Sequence, residues 1–151
     1  MKLAEALAER AEAMRRFEQL QGRIYRFAQT QEGDTPAEDP KELLAEADHV
    51  LGRIEYLICR INKTNTATKF DDKLTLTDAI AQRDILMKRR SLYANAADRA
   101  GATQSRYSRS EIRLVANVDV RETQRHADKL AKDYRTLDTA IQKLNWDTDL
   151  L

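Results

Sequence analysis

The chain has one cysteine, two prolines and four glycines in 151 residues, and aromatic side chains make up only 6% of it. Each shortage excludes something. A lone thiol, Cys59, builds neither a disulfide framework nor a paired-cysteine metal knuckle. Within the apolar run 56–59 it reads as a small hydrophobe. The four glycines fall in neither GxxxxGK[ST] nor GxGxxG, so those phosphate-cradling loops are missing from the sequence. Long apolar runs are missing too, and none approaches the roughly 18 residues that span a bilayer. The first residues carry Glu5, Glu9, Arg10 and Glu12 where a secretory signal needs an apolar core. The expectation is a cytoplasmic protein with no integral membrane association.

Charge of one sign is also scarce overall. The net charge of +1 gives no general pull towards nucleic acid, and few aromatics means few stacking platforms, so nucleic acid is not an expected partner. His49 and His126 stand alone, outside any HxxxH or HExxH pattern, and Ser91, Ser105, Ser108 and Ser110 have no histidine nearby. No catalytic residue, metal or cofactor is expected.

Charged residues are nevertheless abundant, at 34%, beside an apolar fraction of 42%. That mixture suits long amphipathic helices rather than disorder. The charge is also unevenly spread. Residues 83–125 carry ten bases against five acids, and residues 28–59 carry eight acids against two bases. Such segments are expected to face each other within or between chains.

Apolar periodicity predicts four helices, over about residues 2–29, 40–65, 78–98 and 119–146, in one domain. In the first, Leu3, Leu7, Met14, Phe17, Leu20, Ile24 and Phe27 recur at spacings of three, four and seven. The polar segment 30–39, with Gly33 and Pro36, is a connector. Asp39 then supplies an N-cap, Pro40 the first helical position and Glu42 the acid of a capping box. Leu43, Ala47, Val50, Ile54, Leu57 and Ile61 form the main row of the second helix, with Leu44, Leu51 and Ile58 as a second row beside it. In the third helix Ala79, Leu86 and Tyr93 share a stripe with Arg83 and Arg90, which therefore need partners, while Ile85 and Leu92 lie farther round. The fourth has the cleanest seam: Thr123, Ala127, Leu130, Tyr134, Leu137, Ile141 and Leu144, opened by Asp119 with Glu122. Trp146 is expected to anchor its end in the core or in an interface.

One stretch breaks the helical pattern. Ile112, Leu114, Ala116 and Val118 alternate with more polar neighbours, a period of two. Residues 112–118 are expected to pair with a short alternating segment at 74–77, forming a small β element. That pairing would bring Tyr107, Arg109, Glu111 and Asn117 towards Asn62, Asn65, Asp78, Arg83 and Asp84. The group is either a structural polar network or a pocket for a small anion, with Arg83 and Arg109 supplying the charge.

Four segments carry a resemblance: INKTN (61–65), LTLTDAIAQRD (74–84), RYSRSEIRLVANVDV (106–120) and AKDYRTLDTAIQKLNW (131–146). Together they resemble the septicolysin-like family of short bacterial proteins over nearly the whole chain. Ala116-Asn117 departs from the family's Ser-Thr type pair. The resemblance implies a mostly helical fold with a small β element and no established biochemical role. Its label implies lytic activity at membranes.

The fold expected is therefore mainly α, with four long amphipathic helices in antiparallel hairpins, bundle- or coiled-coil-like, plus the small β element. The leading functional expectation is a cytoplasmic homo-oligomeric scaffold or interaction protein, leaning away from an enzyme, whose partner is another copy of itself. The alternative is a small-anion or nucleotide-binding protein, enzymes included, built on the Arg/Asp/Asn group. A membrane-active cytolysin ranks behind both.

Overall fold

A computed structural model describes residues 1–102 and 113–151 of the chain. Among the described residues it is mainly α, with four helices: α1 (Leu3–Phe27), α2 (Pro40–Ala67), α3 (Leu76–Gly101) and α4 (Val120–Asp147). The chain divides into two compact units. The first comprises Met1–Thr75 with Lys143–Leu151, and the second comprises Leu76–Gln142.

Local chemistry sets the helix ends. At α1 the Glu5 carboxylate accepts a hydrogen bond from the Lys2 backbone N–H at 2.7 Å, closing the acid half of a capping box. Asp39 caps α2 by accepting from the Lys41 N–H at 2.9 Å, and Pro40 follows with no N–H to leave unpaired. Asp119 does the same for α4, accepting from the Glu122 N–H at 2.8 Å. Gly33, in the α1–α2 connector, takes a φ of 91°, a conformation that side chains disfavour.

In the first unit α1 and α2 form an antiparallel hairpin. Its direction is visible in its ion pairs: as the position on α1 climbs through Glu9, Arg16 and Arg23, the partner falls through Arg53, Glu46 and Glu38. The steps on α1 are seven residues, two helical turns, so the three pairs lie along one edge. Beneath them Leu20, Leu43 and Ala47 are buried, with Phe17, Ile24, Phe27 and Val50 packed around them. Ile54, Leu57 and Ile61 continue the buried row of α2. Full burial of each large aliphatic side chain is worth about 1.5–3 kcal/mol.

The polar run 62–66 does not stop α2. Thr64 and Thr66 turn their hydroxyls back onto the carbonyls of Arg60 (2.8 Å) and Asn62 (3.0 Å), within the helix. The chain then turns sharply. Asp71 accepts from the N–H groups of Lys73 and Leu74, both at 2.7 Å, and Phe70 donates to the Leu74 carbonyl at 2.9 Å.

That turn corrects the expected β element. Thr75 makes an isolated antiparallel bridge with Lys69, and Leu76 and Thr77 already belong to α3. Residues 113–118 are irregular, and the alternation there corresponds to no buried face: Leu114 is 79% exposed and Val115 is 74% exposed. Among the described residues there is no strand. The cause is local. The Asp71 carboxylate folds residues 70–74 onto themselves, and burial of Leu76 is met by a first helical turn. Ile112 lies outside the described residues.

In the second unit α3 and α4 also run antiparallel. Arg83 meets Asp138, Tyr93 stacks at a tilt on His126 with ring centroids 4.2 Å apart, and Gly101 lies beside Val120. A Cβ on Gly101 would sit 3.3 Å from Val120 Cγ1, so the end of the hairpin closes tightly because that residue lacks a side chain. Leu76, Ala79, Ala97, Ala127, Leu130 and Ile141 are buried.

Candidate functional site

The polar residues singled out from the sequence fall into separate settings. Asn62 and Asn65 lie in the last turns of α2, in the first unit, with Asn62 exposed and Asn65 half-buried. Asp78, Arg83 and Asp84 occupy the first turns of α3, in the second unit. Asn117 is exposed in the irregular segment before α4. Tyr107, Arg109 and Glu111 lie outside the described residues.

Arg83 is the best-defined of these. Its Nη2 reaches Asp84 at 2.8 Å and its Nη1 reaches Asp138 on α4 at 3.3 Å. Burial works against its charge, but the two carboxylates outweigh that and hold its pKa above the ordinary arginine value. The cation is thus matched twice, and the side chain ties α3 to α4. Arg90, expected on the same stripe, is exposed. Asp138 carries no sequence signal linking it to Arg83, since it lies 55 residues away.

A second polar group went unforeseen. Thr64 is completely buried, and its hydroxyl oxygen accepts a hydrogen bond from the Leu151 N–H at 3.0 Å. Arg60 donates to the carbonyls of Leu150 (3.2 Å) and Leu151. The same tail reaches α1: Leu3 donates to the Thr148 carbonyl at 2.9 Å, Leu150 donates to the Met1 carbonyl at 3.0 Å, and Lys2 pairs with Asp149 at 2.9 Å. Residues 148–151 therefore clasp the start of α1 and the end of α2. One of the orphan N–H groups of α1 is satisfied in the process. Asn65 Oδ1 and Asn145 Oδ1 are shielded and take no hydrogen bond among the described residues.

The largest unmet feature is apolar. Leu44, Leu51 and Ile58, the second row of α2, are exposed, Leu44 by 50%. They follow one another at intervals of seven, so they line one edge of the helix. On α3, Ile85, Met87 and Leu92 are exposed, Leu92 by 66%, while Leu76, Ala79 and Ala97 are buried. Apolar side chains therefore lie on several sides of α3, whereas on α4 the row Ala127, Leu130 and Ile141 keeps to one buried side and Trp146 stands apart from it. Trp146 is exposed rather than seated in the core, and Cys59 is exposed beside Ile58 rather than packed as a hydrophobe.

No described helix is long and apolar enough to cross a membrane. Among the described residues no three His, Cys, Asp or Glu side chains group as metal ligands would. At the end of the second hairpin where Gly101 meets Val120, Arg121 and Arg125 share a cleft with Asp98 and Asp128, two bases and two acids among the described residues.

These features define a mainly α protein with two helical hairpins, in which α2 and α3 carry exposed apolar rows. The chain belongs to the family of unknown function DUF6847, whose model matches residues 10–150. Among solved structures it is similar to the crystal structure of a functionally unknown conserved protein from Corynebacterium diphtheriae. The two are 50% identical, with 100% of this chain and 99% of that chain covered and a TM-score of 0.93. No curated protein matches the chain.

Proposed function

We propose that the protein is a homo-oligomeric helical scaffold or interaction protein of the cytoplasm, with no chemistry of its own. The observation that carries this reading is the pair of exposed apolar rows, Leu44, Leu51 and Ile58 on α2 and Ile85 and Leu92 on α3. Heptad-spaced leucine and isoleucine on a helix surface are the signature of a seam that packs against another helix. A single copy leaves both rows in water at a cost of roughly 25 cal/mol per Å² of apolar surface that could be covered. Arg83, the cation that a small-anion pocket would use, is already matched by Asp84 and Asp138, which favours a structural role for that group. The septicolysin-like resemblance enters this reading as kinship of fold, without lytic activity. Light scattering on the native protein at micromolar concentration should give a mass at least twice that of the 17.4 kDa chain. A monomer there would remove the proposal.

A further inference from the structure

Two helix faces left exposed by the fold match each other in spacing, length and charge. On α2 the positions that share the outer edge are Leu44, Asp48, Leu51, Glu55 and Ile58, at alternating intervals of four and three. On α3 they are Ile85, Arg89, Leu92, Ala96 and Arg99, at the same intervals, with Lys88 alongside. Each row rises about 21 Å along its helix. The gaps between apolar residues are acidic in the first row and mostly basic in the second.

The ion pairs of α2 engage Arg53 and Glu46, and that of α3 engages Arg83. Asp48, Glu55, Lys88, Arg89 and Arg99 take part in no side-chain ion pair or hydrogen bond among the described residues, and all five are exposed. Beside the α2 row, Ala45, Gly52 and Cys59 are exposed at the same seven-residue interval, and a Cβ on Gly52 would meet nothing within 4 Å. A second helix can approach closely there.

We propose that the Leu44–Leu51–Ile58 row of α2 in one copy seats on the Ile85–Leu92 row of α3 in a second copy, with Asp48 and Glu55 meeting Lys88, Arg89 and Arg99. The inference rests on the homo-oligomer reading and names its interface. A second copy is the occupant because the chain carries both halves of the complementarity, acidic on one face and basic on the other. Like faces are disfavoured: α2 on α2 sets Asp48 and Glu55 against each other, and α3 on α3 does the same with the arginines. A twofold axis makes the contact twice, each copy giving one α2 row and one α3 row.

Two measurements test this. A zero-length carbodiimide links carboxylates to amines in contact, so it is applied to an equal mixture of unlabelled and ¹⁵N-labelled protein. Peptides joining Lys88 of one copy to Asp48 or Glu55 of another are expected, and which acid is joined reports the direction in which the helices run. Sedimentation supplies the second. Reversing the basic row with Lys88→Glu and Arg89→Glu weakens self-association about tenfold or more. Adding Asp48→Lys and Glu55→Lys to the same chain restores it. All four positions are exposed, so helicity by circular dichroism stays native throughout. An oligomer that ignores both sets of changes and forms no inter-copy link at Lys88 overturns this pairing while leaving the homo-oligomer intact. A native protein that sediments as a monomer overturns both.

Discussion

The two hairpins use the same connectivity and spend their side chains differently. The first lays three ion pairs along one edge of α1, to Arg53 and Glu46 of α2 and to Glu38 just before it, over a core of Leu20, Leu43 and Ala47, and leaves the Leu44–Leu51–Ile58 row exposed. In the second, Arg83 ties α3 to α4 through Asp138, Tyr93 stacks on His126, and Lys88, Arg89 and Arg99 take part in no ion pair among the described residues, beside exposed Ile85 and Leu92. The lesson is that each antiparallel helix pair ties its facing sides together within the chain and still displays an apolar row suited to a partner, edged by acids on α2 and by bases on α3.

The contrast can be broken most sharply in the core. Leu20→Ala removes a fully buried side chain and should cost about 2–5 kcal/mol in urea denaturation. Leu92→Ala, on the outer face of α3, should change the stability of an isolated copy by less than about 0.5 kcal/mol while weakening association. An equal loss at both positions would mean that the outer row is already covered.

Next comes the clasp. Thr64→Val keeps the shape but removes the oxygen that accepts from the part-buried Leu151 N–H, a loss of about 1 kcal/mol. Amide exchange at Leu150 and Leu151 should accelerate, and unchanged protection there would show that the hydroxyl does not hold the tail. Arg83→Met should cost no more than about 1 kcal/mol, because its carboxylate partners retain access to water.

A pH titration separates the hairpins more gently. Hydrogen bonds from Arg53 and Arg23 hold Glu9 and Glu38 below the ordinary glutamate value of 4.5, and Lys2 holds Asp149 below 3.8. For such depressed groups the stabilisation is complete above the unfolded pKa and is lost as pH falls through the folded one. Stability of the first unit should therefore be flat from pH 7 to about 5 and decline below the 4.5 of the unfolded glutamates. Double replacement by Glu9→Gln and Glu38→Gln should flatten that acid limb. The smallest expected effect is the response to inorganic phosphate, which should shift the melting temperature by less than about 1 °C. A rise that grows with phosphate concentration would restore the anion reading.

What could be read from the sequence was periodic or adjacent. Four helices, the Asp39–Pro40 start of α2 and the Asp119 start of α4 follow from spacing and capping chemistry. The second row on α2 was legible for the same reason, because intervals of seven survive whether or not the chain buries them. The β element misled because alternation at 74–77 is also what a turn followed by a buried first helical residue looks like, and Asp71 decides for the turn. Arg83 could be seen to need a partner, but Asp138 could not be named. The clasp left no trace at all, since most of its bonds are made by backbone groups whose pairing no side-chain pattern encodes.

That clasp also sets an order of assembly. The α1–α2 hairpin is local in sequence, and so is the α3–α4 hairpin, so each can nucleate early. The bond from Leu151 to Thr64 closes over 87 residues, and that from Leu3 to Thr148 spans almost the whole chain. Such closures come late, after the nearer contacts have formed. The first unit is begun before the second exists and is completed only once all of α4 has been laid down, so a chain interrupted in α3 or α4 carries a formed hairpin with an open seat at Thr64.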